Sequence, residues 1–146
     1  MEKREPRIGG IITPILTPFY EDESINFDEL RHQVNRLVEA GVGGIFPFGT
    51  NGEAYALSDD EKIEILKVVV DETKGRVPVY AGTGCITTRD TIALSKRAKE
   101  AGADILSIIT PYFAAISQDE LFEHYKAVAE AVDLPIVLYN IPMRTA

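Results

Sequence analysis

Two short loops carry the residues of this chain that are best suited to chemistry. Gly49-Thr50-Asn51-Gly52 follows one short apolar run, and the segment 139–145 follows another. Glycines let backbone N–H groups turn toward an anion, and a hydroxyl beside an amide adds two side-chain hydrogen-bonding groups. The segment 49–52 could therefore bind an anion, although an ordinary turn is the favoured interpretation of this segment taken alone.

Aromatic and basic side chains near the ends of apolar runs form a second set of candidates. Tyr112 and Tyr139 could act as acids or bases, although tyrosines at strand ends more often pack at a rim. Arg144 could bind a carboxylate in bidentate fashion, and a solvated arginine is an equally good interpretation. Gly82-Thr83-Gly84 is similar to a phosphate loop, but it lacks the third glycine that would make the signal specific.

Composition and charge narrow the class of protein. A chain of 146 residues with 45% apolar and 26% charged residues is typical of one soluble globular domain, here 1–146. The net charge of −8 and the absence of a basic stripe argue against a nucleic-acid partner. There is no run apolar enough for a membrane span, and the single Cys85 allows no intramolecular disulfide, so a cytoplasmic location is expected. No Cys/His cluster is present, and we predict neither a metal nor a cofactor.

Short apolar runs alternate with amphipathic segments along the chain. The predicted strands β1 to β5 lie at 8–12, 44–47, 77–81, 105–109 and 135–139. The helices between them, α1 to α4, are expected to begin at the caps Asn26, Ser58, Thr88 and Ser117. Nearly continuous apolar strands separated by helices are typical of a parallel sheet buried on both faces. The order β1α1β2α2β3α3β4α4β5 is compatible with an open doubly wound sheet and equally with a partial barrel.

Five motifs occur in a fixed order along the chain. They are Gly10-x-x-x-Pro14-x-x-Thr17-Pro18-Phe19, Gly49-Thr50-Asn51-Gly52-Glu53, Ala81-Gly82-Thr83-Gly84, Thr110-Pro111-Tyr112 and Tyr139-Asn140-x-Pro142-x-Arg144-Thr145. In order and spacing they resemble the dihydrodipicolinate synthase/N-acetylneuraminate lyase family, and the match covers essentially the whole chain. It corresponds to about the first half of a family member. The resemblance therefore implies an α/β fold, the parallel (βα) half-barrel of a TIM barrel.

The resemblance also implies a chemistry and a set of roles. Members of that family form a Schiff base between a lysine and pyruvate or another 2-oxo acid, and then make or break the adjacent carbon–carbon bond. By this resemblance Thr50 and Asn51 bind the carboxylate of the 2-oxo acid, and Thr50 and Tyr139 relay protons. Arg144 binds the carboxylate of the second substrate, and Tyr112 belongs to the substrate-binding residues. No cofactor is implied.

Two departures from the family pattern concern the substrate. Synthases of this family typically have Thr-Thr where this chain has Thr50-Asn51. They also have a second tyrosine, reaching across a subunit interface to complete the relay, where this chain has Phe113. A phenyl ring cannot pass a proton. Both departures favour a relative such as a 4-hydroxy-2-oxoglutarate or 2-keto-3-deoxy-sugar-acid aldolase, or an uncharacterised paralogue.

The third departure concerns the nucleophile. The Schiff-base lysine of the family lies on a sixth strand, beyond the residues of this chain. All lysines here except Lys3 fall on predicted helices, which lie outside a barrel, so none is expected to replace it. We therefore expect a fragment that is inactive alone and that associates into a homodimer or a higher oligomer to cover its exposed edges. A 2-oxo-acid binding or scaffold protein, and one piece of a split aldolase joined by a complementary half-barrel, are the alternatives.

Overall fold

The computed structural model describes residues 8–145, and strands and helices alternate along this range. The strands are β1 (Ile12–Pro14), β2 (Gly44–Phe46), β3 (Tyr80–Gly82), β4 (Ile105–Ile109) and β5 (Ile136–Tyr139). The helices are α1 (Phe27–Glu39), α2 (Asp59–Thr73), α3 (Thr88–Glu100), α4 (Gln118–Ala131) and the short α5 (Pro142–Thr145). The predicted order from β1 to β5 is confirmed, but residues 142–145, expected to belong to a loop, form the short helix α5. Strands β1 and β3 begin later than expected, at Ile12 and Tyr80.

The strands follow one another in chain order, and this order distinguishes the two folds that the sequence left open. Strand β1 pairs in parallel with β2, and β3, β4 and β5 pair in parallel in that order. A parallel bridge between Ile45 and Val79 joins the two groups. A doubly wound sheet reverses its strand order at a switch point, which does not occur here. The structure is therefore a (βα) half-barrel.

Three of the four predicted helix caps are confirmed. The Asn26 side chain accepts a hydrogen bond from the backbone N–H of Glu29 at the start of α1. Ser58 and Ser117 each form a complete capping box with the glutamate three residues later, at the starts of α2 and α4. These bonds satisfy backbone donors that a helix leaves free in its first turn. Each helix therefore begins at a position that local sequence determines.

The cap predicted for α3 is wrong by one residue. The N-cap is Thr87, whose backbone is extended and whose Oγ1 accepts from the backbone N–H of Asp90. Thr88 is already helical, and its Oγ1 lies 2.9 Å from Nδ1 of His124 on α4. Both threonines are chemically suitable caps, but only Thr87 is followed three residues later by an acidic side chain, Asp90, to which its Oγ1 also donates a hydrogen bond.

The main core lies between the outer side of the sheet and the helices. Its fully buried side chains include Leu30, Val34, Ile45, Leu66, Val69, Leu94, Leu106, Ile108 and Val128. A smaller group on the inner side consists of Phe46, Tyr80 and Ile105. Cover is incomplete at both flanks, because Leu138 on β5 is 64% exposed and Ile11 beside β1 is 75% exposed. Within the described residues, no helix is long and apolar enough to cross a bilayer.

A drop in pH is expected to destabilise this fold through His124. The side chain is buried between α3 and α4, its Nε2 has no hydrogen-bond partner among the described residues, and burial lowers the pKa of the ring below its ordinary 6.5. The unfolded chain therefore takes up the proton first, and stability falls as the pH drops below about 6.5. Each unit of pKa difference between the two states is worth about 1.4 kcal/mol.

Urea unfolding at about pH 7.5 and about pH 5.5 measures this effect. We expect His124→Gln to remove part of the loss of stability between the two pH values. His32→Gln is the matched control, since the His32 side chain is 80% exposed, and it should leave that loss unchanged. An equal pH dependence in wild type and His124→Gln would contradict the assignment.

Candidate functional site

A cavity of about 490 Å³ opens at the carboxyl ends of strands β2 to β5. Its walls come from the strand ends and from the loops that follow them, together with the first turns of α2 and α3. The lining residues include Phe46, Gly49, Thr50, Tyr55, Asp59, Lys62, Gly82, Cys85, Asp90, Ser107, Tyr112 and Tyr139. In parallel barrels this end of the strands is where ligands bind and reactions take place.

Two hydroxyl groups from distant parts of the chain meet in this cavity. The Thr50 Oγ1 and Tyr139 Oη atoms are 3.3 Å apart, and either can donate the hydrogen bond. The ring of Tyr139 packs edge-on against Phe46 with ring centroids 6.1 Å apart, which holds its hydroxyl toward the loop after β2. Such a pair can pass a proton from one oxygen to the other.

The turn that carries Thr50 is held by close backbone packing. The backbone of Phe48 has a positive φ of 39°, which is uncommon for a residue other than glycine. Gly52 lies so close to Phe48 that a Cβ would approach the Phe48 backbone N to 2.9 Å, so only glycine fits here. Thr17 Oγ1 also donates to the Gly52 carbonyl oxygen at 2.7 Å. This turn is a rigid platform, as expected of a site that must hold a ligand in one orientation.

Of the other predicted site residues, some line the cavity and others do not. Tyr112 lines the cavity, whereas Asn51 is exposed and does not contribute to its walls. Phe113 is 94% exposed beside the cavity and has a positive φ of 80°. Arg144 belongs to α5, but its side chain lies outside the part of the structure that is described. The structure thus brings Thr50, Tyr112 and Tyr139 to one cavity.

The cavity wall also contains a basic side chain that no sequence motif singled out. Lys62 lies on a helix as predicted, but its side chain lines the cavity and is only 13% exposed. Its Nζ donates to Oδ1 of Asp59 at 3.1 Å. Both residues lie in the first turn of α2, directly after the loop that follows β2. The first turn of a helix that directly follows such a loop faces the site. The position of Lys62 in that turn is therefore the sequence feature that could have predicted its place in the cavity.

The cavity wall also contains Cys85, whose thiol is protected by its surroundings. Burial raises the pKa of this thiol, and the nearby Lys62 opposes the shift without cancelling it. The thiol therefore stays in its neutral form at the cavity wall. Among the described residues, no cluster of three His, Cys, Asp or Glu side chains could hold a metal ion.

Parallel βα units in chain order, with a cavity at the carboxyl ends of their strands, define this chain as part of a TIM-barrel protein. A sequence model of the dihydrodipicolinate synthetase family matches residues 7–146. The chain belongs to this family.

Individual relatives agree with this assignment. The chain is 46% identical over 140 residues to 4-hydroxy-tetrahydrodipicolinate synthase of Methanopyrus kandleri, covering 95% of this chain and 47% of the relative. It is 45% identical to the Haloarcula marismortui enzyme of the same name over 136 residues, covering 93% of this chain and 44% of the relative. The chain spans about half the length of these curated relatives.

Solved structures give the same result. The dihydrodipicolinate synthase of Acinetobacter baumannii complexed with pyruvate superposes with a TM-score of 0.93 at 42% identity, covering 95% of this chain and 48% of that one. YagE, a family member from Escherichia coli K12 in complex with pyruvate, superposes with a TM-score of 0.91 at 38% identity, covering 94% of this chain and 46% of that one. The half-barrel described here is therefore the fold of one half of these proteins.

Proposed function

We propose that residues 1–146 form the N-terminal half of a barrel that acts as a Schiff-base lyase or aldolase on pyruvate or a related 2-oxo acid. The hydrogen-bonded pair of Thr50 and Tyr139 in the cavity carries this proposal, because it joins the loop after β2 to the end of β5, 89 residues apart in sequence. The pyruvate bound to two solved relatives supports the choice of ligand.

Different residues of this site bind the carboxylates and transfer the protons. The Gly49–Asn51 turn and the Thr50 hydroxyl receive the carboxylate of the 2-oxo acid, and Tyr112 lines the same cavity. Imine formation expels the carbonyl oxygen as water, so that oxygen must gain protons. Tyr139 donates a proton to the departing oxygen, and the proton that the attacking amine loses returns to Tyr139 through Thr50. Arg144 binds the carboxylate of a second substrate.

The second substrate distinguishes two candidate activities. The names of the relatives support 4-hydroxy-tetrahydrodipicolinate synthesis. Phe113 and Asn51 instead favour an aldolase for 4-hydroxy-2-oxo acids or 2-keto-3-deoxy sugar acids, because the phenyl ring of Phe113 cannot join the proton relay. We propose the broader pyruvate lyase or aldolase activity, which both candidates share.

The nucleophile comes from the half of the barrel that this chain does not span. Lys62 is the one lysine of the described residues that lines the cavity, and it is ion-paired with Asp59. A lysine attacks a carbonyl only as the free amine. These 146 residues alone therefore bind a 2-oxo acid without forming an imine, and without a partner they self-associate through their uncovered flanks.

Reductive trapping tests this division between binding and covalent chemistry. We expect borohydride reduction of the 146-residue chain in the presence of pyruvate to leave its intact mass unchanged. The control is the same treatment of the Methanopyrus kandleri relative, which should gain one reduced pyruvate adduct. An adduct on this chain that disappears in Lys62→Arg would make Lys62 the nucleophile and contradict the proposal.

A further inference from the structure

The cavity ends at a layer of inward-facing side chains from the middle of the strands. Ser107 on β4 is the register partner of Gly82 on β3, and the Phe46 ring on β2 lies against Gly82. All three residues line the cavity. One inward position lower, the register partners Tyr80 and Ile105 are buried and do not contribute to its walls. Phe46, Gly82 and Ser107 therefore form the floor of the cavity.

The floor contains a hydroxyl group without a protein partner. Ser107 is only 6% exposed, and its Oγ makes no hydrogen bond with any of the described residues. Tyr80 Oη is also unpartnered, but its surroundings seal it completely. The Ser107 hydroxyl is not sealed in this way, and the residue lines the cavity. A bound ligand can therefore reach this hydroxyl.

Two of the three floor residues are small, and this leaves a recess between the rings of Phe46 and Tyr139. The inner layers of TIM barrels are usually filled by bulky branched side chains. Gly82 is small for a packing reason, because a Cβ there would approach the Phe48 carbonyl oxygen to 2.7 Å. The depth of the recess therefore depends on the size of the side chain at position 107.

The hydroxyl of Ser107 makes no contribution to the fold that the structure shows. A polar group removed from water without a partner costs free energy, whereas alanine would give nearly the same shape without that cost. Unsatisfied polar groups of this kind are rare in native proteins. A ligand group that enters the recess and forms the missing hydrogen bond accounts for this one.

The surroundings of the floor favour a neutral ligand group. The charged residues of the cavity wall are Asp59, Lys62 and Asp90, and all three lie on helices. The strands contribute only uncharged residues to the wall, namely Phe46, Gly82, Ser107, Ile109 and Tyr139. A carboxylate at the floor would lose its hydration without gaining a counter-charge. A ligand hydroxyl fits, because it can both donate to the serine oxygen and accept from it.

We propose that Ser107 is a specificity-determining residue that binds a hydroxyl group on the carbon next to the keto group of a 2-oxo acid. Because a strand rises about 3.3 Å per residue, Ser107 lies about 6.6 Å below Ile109, the register partner of Tyr139. A hydroxyl on that carbon, with a hydrogen bond of about 2.8 Å, spans one such layer. This position of the hydroxyl rests on the proposed function, which places the keto group beside Tyr139.

Two ligands of nearly equal size test the proposal on the 146-residue chain. In 3-hydroxypyruvate a hydroxyl group replaces the terminal methyl group of 2-oxobutyrate. Titrations followed by ligand-detected NMR should give a Kd that is about threefold to tenfold lower for 3-hydroxypyruvate. Ser107→Ala removes only the hydroxyl and should abolish this preference. Equal affinities in the wild type, or an unchanged preference in Ser107→Ala, would overturn the proposal.

Two further variants separate the recess from the rest of the cavity. Ser107→Leu fills the recess and should weaken the binding of both ligands by about tenfold or more. Cys85→Ala changes the cavity wall away from the floor and should keep the preference for 3-hydroxypyruvate. Wild-type affinities in Ser107→Leu, or a preference lost equally in Cys85→Ala and Ser107→Ala, would assign recognition to another part of the cavity and overturn the proposal.

Pyruvate separates this inference from the proposed function, because pyruvate has no hydroxyl group. It is trapped with borohydride on a single chain that joins residues 1–146 to the C-terminal half of the Methanopyrus kandleri relative. An adduct, with a preference that does not depend on Ser107, supports the function and overturns the inference. No adduct, with a preference that Ser107→Ala abolishes, supports hydroxyl recognition and contradicts the Schiff-base function. If none of the three ligands binds at millimolar concentration, both are overturned.

Discussion

Leu106→Ala is expected to lower the free energy of unfolding by about 2–5 kcal/mol. Leu106 lies on the middle strand β4, with Ala81 on one side and Ile136 on the other, and it is completely buried under the helices. Alanine removes part of the buried apolar surface and leaves a cavity that a sheet held on both sides cannot close. Urea unfolding followed by circular dichroism measures the change.

Leu138→Ala is the matched control, because it makes the same chemical change on the adjacent strand. Leu138 is 64% exposed, so its truncation should change the stability by less than about 0.5 kcal/mol at protein concentrations where the chain is monomeric. The pair therefore tests the placement of the core and the openness of β5 in one experiment. Equal losses in the two variants would contradict the described cover of the sheet.

Tyr139→Phe is expected to reduce kcat by about 10²–10⁴-fold in a single chain that joins residues 1–146 to the C-terminal half of the Methanopyrus kandleri relative. The substitution keeps the ring that packs against Phe46 and removes only the hydroxyl that lies 3.3 Å from Thr50 Oγ1. We expect the proton transfer to become slower while the cavity keeps its shape. Steady-state kinetics with pyruvate therefore should show a lower kcat and a KM changed only a few-fold.

Two further variants decide whether the hydroxyl pair acts as a unit. Thr50→Val should show a loss similar to that of Tyr139→Phe, and the double variant should lose little more than either one, because removing one partner already breaks the relay. Tyr20→Phe removes the hydroxyl of a half-exposed tyrosine that does not line the cavity and should retain full activity. Additive losses at Thr50 and Tyr139 would mean that the two hydroxyls act separately.

Much of this fold was predictable because its signals are local. The capping boxes at Ser58 and Ser117 formed as predicted, since each needs only a side chain and a backbone group three residues away. Apolar periodicity predicted the alternation of strands and helices. The apolar run 105–109 became β4 with the predicted bounds, because this strand is buried in the middle of the sheet and paired on both edges.

Tertiary contacts decided the features that no local window contains. The N-cap of α3 is Thr87, whereas Thr88 is the first helical residue and contacts His124 on another helix. Sequence alone placed Lys62 on a helix outside the barrel. Because it lies in the first turn of α2, its side chain lines the cavity.

In the candidate site too, local sequence predicted some features and tertiary contacts decided the others. Residue types and motif order along the chain singled out Thr50 and Tyr139 separately. Their hydroxyls come within 3.3 Å only because parallel pairing brings the ends of β2 and β5 around one cavity. The exposure of Leu138, opposite the fully buried Ile108, likewise depends on whether a helix packs over the strand. A sequence determines which side chains are available, whereas packing between distant segments determines which of them meet and which stay uncovered.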